Sequence, residues 1–215
     1  MTSYSTRCDP IIASRQIDNL IYKNGNTADI IKTILFADQR SAEFVNKDAV
    51  GCLVGRNEMD TLKNIWSYVK KNHRYTPDKP GWERVQSPGS LKASKKGDCK
   101  SFSVMAAALL RALGFRYKFR FADYKNYDYE HVYVVAYSAS GREIILDAVH
   151  DYFNDEVYYQ RIMDKLPKAQ VGGIAGFRAI RGNQGVSAVT LVAVLIGGFI
   201  VLKYLEKGQP DYYND

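Results

Sequence analysis

Histidine and cysteine are scarce in this chain, with three of each in 215 positions. Cys8, Cys52 and Cys99 are odd in number and far apart, which argues against a disulfide framework. No pair of them has the spacing of metal ligands. The opening residues, MTSYSTRCDPIIASRQ, lack an apolar h-region, so no cleavable signal peptide is expected. Nucleotide, flavin and metal motifs are also missing, and no cofactor is expected. The net charge of +7 would suit nucleic acid or an anionic membrane surface. No DNA- or RNA-binding motif accompanies it, so a solvated basic face is the better explanation and no nucleic-acid partner is expected. With 46% hydrophobic and 25% charged residues, the composition excludes wholesale disorder. The length leaves room for one sizeable core and an appendage.

Charge is missing again near the other end. GVSAVTLVAVLIGGFIVL, residues 185–202, carries none in 18 positions. As a helix it would be about 27 Å long, close to the hydrocarbon thickness of a bilayer. Lys203 and Tyr204 follow it as interfacial anchors do. A single transmembrane helix over 185–205 is therefore expected, with the lipid bilayer as partner and a polar tail at 206–215. Lys165, Lys168, Arg178 and Arg181 precede it and Lys203 and Lys207 follow, a small bias that puts the preceding domain on the cytoplasmic side. Between domain and anchor, VGGIAGFRAIRGNQG holds five glycines in 15 residues and reads as a tether, residues 169–184.

The rest organises itself by hydrophobic period. Residues 1–50 form an N-terminal segment with two helix-like patterns, PIIASRQIDNLIY and TADIIKTILFADQRSAEFV, broken by KNGN. Cys8 and Cys52 are read as ordinary small side chains. A domain over 51–168 follows. Met59, Leu62, Ile65, Trp66 and Val69 share one helical face, with Asn57 as cap and Pro77 as stop. TPDKPGWERVQSPGSLKASKKG holds three of the six prolines and three glycines, which predicts a long loop with little regular structure. Cys99 to Leu113 is apolar nearly all round and reads as a buried helix ended by Gly114. FRYKFRFA alternates with period two, placing aromatics 115, 117, 119 and 121 inward and Arg116, Lys118 and Arg120 towards water. HVYVVAY and REIILDA are two more strands, joined through SASG. Helices followed by antiparallel strands around one central helix make an α+β domain.

The chemistry gathers where that central helix begins. Asp98 is placed as its N-cap, which makes Cys99 the first helical residue. Free backbone N–H groups and the helix dipole favour negative charge there, which suits a thiolate nucleophile. Such a nucleophile needs an oriented base. His73 lies beside a helix end in a basic stretch, whereas His131 opens a strand whose inward face continues through Tyr133, Val135 and Tyr137. If Tyr137 pairs with Gly141 across a three-residue turn, His131 falls opposite Asp147, whose carboxylate would fix the imidazole tautomer. A four-residue turn shifts the pairing by one. His150, three residues past Asp147, is a lesser substitute.

Residues 58–149 resemble the transglutaminase-like superfamily of papain-like cysteine enzymes, in its short bacterial and bacteriophage form. The resemblance is carried by GDCKSFSVMAAALLRALGF, HVYVVAY and IILDAV, with YTPDKPGWERVQSPGSL similar to the lead-in. Those motifs stand 32 and 16 residues apart, measured from Cys99 to His131 and on to Asp147. The resemblance implies a papain-like core in which the Cys-bearing helix packs on an antiparallel sheet. It implies Cys99 as nucleophile, His131 as general base and acid, and Asp147 as the orienting residue. The Cys99 N–H would serve as one oxyanion donor, with Trp82 and Gln86 as candidate side chains for the other. Many relatives carry an acid one or two residues after the cysteine, where this chain has Lys100 and Ser101.

Two functions follow as expectations. The first is a membrane-anchored cysteine peptidase, amidase or transamidase acting on a peptide or protein amide, cell-wall peptide included, through a thioester. The second is a non-catalytic membrane or virion component that keeps the fold and works through its anchor.

Overall fold

The computed structural model describes residues 8–14, 20–125 and 129–167, with backbone alone for 20–22, 193–196 and 199–202. The chain divides into two units, Met1–Ile174 and Ala175–Asp215.

In the first unit, β1 (Leu20–Lys23) leads into α1 (Thr27–Arg40), which starts where Asn26 and Asp29 satisfy each other's backbone N–H groups in a capping box. Two 3₁₀ turns, Ser41–Phe44 and Val50–Leu53, connect it to α2 (Glu58–Asn72). Asn57 caps α2 as expected, accepting the Asp60 N–H at 2.8 Å. Then come β2 (Arg74–Tyr75), β3 (Trp82–Val85), α3 (Pro88–Ser94), β4 (Lys96–Gly97) and α4 (Cys99–Ala112). The strands β5 (Tyr117–Asp123), β6 (His131–Tyr137), β7 (Glu143–Leu146) and β8 (Arg161–Lys165) form one antiparallel sheet in the order β7-β6-β5-β8. Helix α4 is buried on nearly every side and packs on this sheet, where Ser103 Oγ donates to the Val132 carbonyl at 3.0 Å. Phe119, Phe121, Val132, Val134, Ile144 and Leu146 close the core from the sheet side. The α+β arrangement is the one expected.

Several expectations change. The described residues of the first helix-like pattern, 10–14 and 20–22, are not helical. Ile11 bridges to Val45, and Leu20–Lys23 is a strand paired antiparallel with β3. Residues before 51 therefore share the core of the following domain, with Ile11 and Ile34 fully buried in it. The proline-rich stretch holds two short strands and a helix. Ser87 caps α3 with Pro88 at its first position, a place where the missing proline N–H costs nothing.

Lys118 and Arg120 do not face water. Both are buried beneath residues 143–164, where Arg120 pairs with Asp164, Glu156 and Glu143, and Lys118 with Glu143 and Asp164. Period-two alternation gives the face of a strand but not what covers that face. Here the cover comes from a return to β8 that no hydrophobic pattern announces.

Cys8 and Cys52, 44 positions apart in the sequence, are joined in a disulfide with Cα atoms 5.5 Å apart. The expectation of ordinary side chains rested on counting three cysteines, but two of three can pair when the fold brings them together. The bond staples residues 8–14 to the turn at Val50–Leu53. A loop of this length stabilises by about 4 kcal/mol on chain entropy. Cys8→Ser/Cys52→Ser should thus lower the urea midpoint clearly, and reductant should do nothing further to that variant. An unchanged midpoint would mean that the bond does not form.

In the second unit, β9 (Ala193–Ile196) and β10 (Phe199–Leu202) pair antiparallel. The tether over 169–184, most of the helix expected over 185–205 and the tail at 206–215 lie outside the described residues. The eight residues of 185–205 that are described are strand. Among the described residues no helix is long and apolar enough to cross a membrane.

Candidate active site

Cys99 owes its place to three local devices. The parallel pair β2 and β4 sets Tyr75 beside Gly97, and the Thr76 N–H donates to the Gly97 carbonyl at 2.8 Å. Gly97 keeps the approach close: a Cβ there would lie 2.7 Å from Leu91 Cδ1 and 3.1 Å from Ser101 Cβ, so a side chain would force Leu91 to shift. Asp98 then caps α4, its Oδ1 accepting the Ser101 N–H at 3.2 Å. Cys99 follows as the first helical residue, so its own N–H has no helical acceptor and the positive end of the helix lies at the thiol. The thiol is buried and takes no part in a disulfide.

Opposite it, His131 opens β6. Its Nε2 meets Asp147 Oδ2 at 2.6 Å. The second carboxylate oxygen, Oδ1, accepts the Val149 N–H at 3.0 Å, so Asp147 is held at both ends. Trp66 braces the same residue by donating Nε1–H to its carbonyl at 2.7 Å, while Lys70 donates to the Val149 carbonyl at 3.3 Å. The other imidazole nitrogen, Nδ1, is left free of Asp147, and Cys99 lies close enough to act on the ring. Burial works against charge on this ring, but the bonds to Asp147 and Cys99 outweigh it and push the His131 pKa up to about 10. The imidazole thus keeps its proton across the neutral range.

The strand register differs from the expected one by two residues. Tyr137 pairs with Glu143 and Val134 with Leu146, a register that runs on to place Asp147 opposite Tyr133. The turn has three residues as assumed, but they are Ala139, Ser140 and Gly141, inside a Ser138–Arg142 pair whose N–H···O bond measures 2.9 Å. Gly141 has φ +82, a conformation a turn needs and a strand residue does not adopt, so it belongs to the turn rather than to β7. A two-residue shift keeps every side chain on its face. Asp147 still reaches His131, diagonally rather than directly across.

The two oxyanion candidates are differently placed. Gln86 is buried, with its Nε2 donating to the Lys96 carbonyl at 2.7 Å and its Oε1 accepting from Ser94 at 2.9 Å, so the amide braces α3 against β4. On β3, Glu83 reaches Lys100 and Val85 is buried, and strand pleating sends Trp82 to the opposite face, about half exposed. His150 is half-buried beyond β7, and His73 is buried at the C-terminus of α2. His131 is therefore the histidine brought to Cys99.

Three tyrosines escaped the sequence reading. Tyr124 and Tyr133 flank the imidazole, with ring centroids 5.9 and 5.7 Å away and planes tilted by 32° and 34°. Tyr133 is itself held by a 2.6 Å bond from its hydroxyl to Glu156. Tyr75 stands edge-on to Phe102 at 6.2 Å, 45% exposed. Burial raises the phenol pKa of both Tyr75 and Tyr124, and the negative charge of Asp147 and of Cys99 as thiolate adds to the effect, which places both rings within the field of the site. The signal available was spacing. Tyr133 shares the face of His131 at i+2, and Tyr75 precedes the proline-rich stretch.

The sequence profile of the transglutaminase-like superfamily matches residues 53–160, which is half of the chain. This chain belongs to the transglutaminase-like superfamily. The matched span contains Cys99, His131 and Asp147. No curated protein matches.

Similar solved structures include a candidate cysteine protease from Cytophaga hutchinsonii, at 19% identity and TM-score 0.35, covering 58% of this chain and 39% of that one. A candidate protease from Parabacteroides distasonis is 16% identical with TM-score 0.42, covering 54% of this chain and 26% of that one. Legionella pneumophila LapG is 18% identical with TM-score 0.38, covering 55% of this chain and 75% of that one. This chain thus spans well under half of the first two. At these scores the likenesses carry no argument about chemistry.

Proposed function

We propose that this transglutaminase-like protein is a cysteine acyltransferase or amidase acting on a peptide or protein amide through Cys99, His131 and Asp147. The observation that carries the reading is an imidazole bonded to a doubly held carboxylate and close enough to a helix-start thiol to be acted on by it. In the reaction, the Cys99 sulfur attacks the carbonyl carbon and the Cys99 N–H supports the oxyanion. The C–N bond then breaks as His131 gives its proton to the departing amine, leaving a thioester. Water or a second amine resolves it, and the choice decides between hydrolysis and transamidation.

The test is the rate at which a thiol-reactive probe labels Cys99 as a function of pH, read by peptide mass spectrometry. Cys99 should label rapidly well below the free-thiol pKa of about 8.5. His131→Ala should remove that advantage, and Cys99→Ala should abolish substrate turnover with the fold intact. A Cys99 that labels no faster than an ordinary thiol, or is indifferent to His131, would sink the reading in favour of a non-catalytic component.

For location, the uncharged run at 185–202 supports a membrane tether on sequence grounds. The Cys8–Cys52 bond favours an oxidising compartment for the domain, against the small charge bias towards the cytoplasmic side. Alkaline extraction of membranes from cells expressing the full chain tests the tether. Release of the protein into the soluble fraction would refute it.

A further inference from the structure

Lys100 is the one residue beside the nucleophile that the chemistry above leaves without a task. Its side chain is only 10% exposed, and its ammonium is met by three carboxylates from separate places in the chain. Asp78 Oδ2 lies at 3.3 Å and Glu83 Oε2 at 2.7 Å, and the third partner is Asp98 Oδ2, from the N-cap of α4 itself. Each acid has a second attachment or a fixed position. Asp78 Oδ2 accepts the Arg84 N–H at 2.6 Å, Asp98 Oδ1 accepts the Ser101 N–H, and Glu83 sits in β3 opposite Tyr22. Around Lys100 the loop before β3, the strand itself and the helix cap are tied to one point.

The charges explain why that point needs a cation. Three carboxylates that converge on one ammonium repel one another when it is removed, and burial leaves water little room to screen them. Asp98 would be the first to respond, since its carboxylate both caps α4 and pairs with Lys100. A cap that turns away releases the first helical turn, and that turn is what sets the Cys99 N–H and thiol.

We infer that Lys100 is a positioning residue for acyl transfer, a tethered cation that locks the Asp78–Glu83 segment to the start of α4 and thereby fixes Cys99 against His131. The inference rests on the reading of Cys99 as nucleophile.

The experiment uses the full chain and measures the second-order rate of Cys99 alkylation by iodoacetamide at mildly acidic pH, with thermal unfolding followed in parallel. Lys100→Ala should slow labelling of the folded protein by about tenfold to a hundredfold, the scale on which small misplacements at a reacting centre act. That variant lacks Cγ, Cδ, Cε and Nζ, the atoms of n-propylammonium. Millimolar n-propylammonium should restore much of the rate, whereas tetramethylammonium at equal ionic strength should not. If Lys100→Ala fails to fold, Lys100→Met carries the comparison, because it keeps the stem and drops only the charge. Lys100→Arg should retain most of the rate. A purely structural lysine would lower the unfolding temperature, leave labelling of the folded protein unchanged and show no response to the amine, and that result overturns the inference. A wild-type Cys99 that labels as an ordinary thiol sinks the functional reading and this inference together. A reactive wild type with an equally reactive Lys100→Met sinks the inference alone.

Discussion

In Asp147→Asn protein, His131 should release its proton well below the value of about 10 that it holds in the native chain. Asparagine can still accept the Val149 N–H through its oxygen, but its NH2 then donates to Nε2, so the ring keeps its place in the opposite tautomer while the negative charge that favours imidazolium is gone. A tenfold change in the affinity for a proton corresponds to about 1.4 kcal/mol. A hundredfold weaker hold on the imidazole proton would therefore mean that Asp147 contributes about 3 kcal/mol to charge separation in the site. The chain has only three histidines, so the Cε1–H resonances in a pH titration by NMR are few enough to assign with single variants.

The consequence for stability has a definite sign. The folded-state pKa of His131 lies above its unfolded value. Its contribution is therefore complete below about pH 6.5, declines as the pH rises, and is gone once the pH passes about 10. Asp147→Asn should flatten that alkaline decline in urea unfolding curves. Equal slopes in variant and native protein, together with an unmoved resonance, would show that the carboxylate does not govern the imidazole.

Much of this site was legible in the sequence, because it depends on short-range physics. Asp98 before Cys99 is a cap followed by a first helical residue whatever the tertiary context, and the apolar run behind it predicts a buried helix. His131 and Asp147 needed only the period of a strand and the length of a turn. The register error was two residues and harmless, since an even shift preserves the face. What stayed hidden was set by contacts distant in sequence. The partners of Lys118 and Arg120 come from residues 143–164. Cys8 and Cys52 are read as unpaired until β1 and β3 draw the first residues into the core. Gln86 carries the polarity of an oxyanion donor, and the fold engages its oxygen with Ser94 and one of its two amide N–H groups with Lys96. Sequence supplies the type of a polar group. Only the fold shows whether its hydrogen bonds are already spent.

Acid should destabilise the protein through a different histidine. His73 follows α2, its Nδ1 lies 2.9 Å from the Val69 carbonyl, and a carbonyl only accepts, so Nδ1 carries the proton. Nε2 is buried and has no partner among the described residues. Phe102 and Tyr68 pack against the ring edge-on. A proton added at Nε2 would have no acceptor. Burial lowers the His73 pKa to about 4, with Lys95 and Lys92 adding to the effect against the bond to Val69. Here the sign is the reverse of that at His131. The contribution is complete above about pH 6.5, shrinks as the pH falls, and is gone below about 4, a loss of about 3 kcal/mol over the whole window. His73→Leu removes the group. It should cost about 1 kcal/mol at pH 7 through the lost hydrogen bond to the end of α2. Near pH 4 the order should reverse, with the variant more stable than the native protein by about 2 kcal/mol. Carboxylates that titrate in the same range act on both proteins and cancel in the difference. Parallel stability curves, with the native protein ahead at every pH, would mean that His73 finds an acceptor for its second proton when the pH falls.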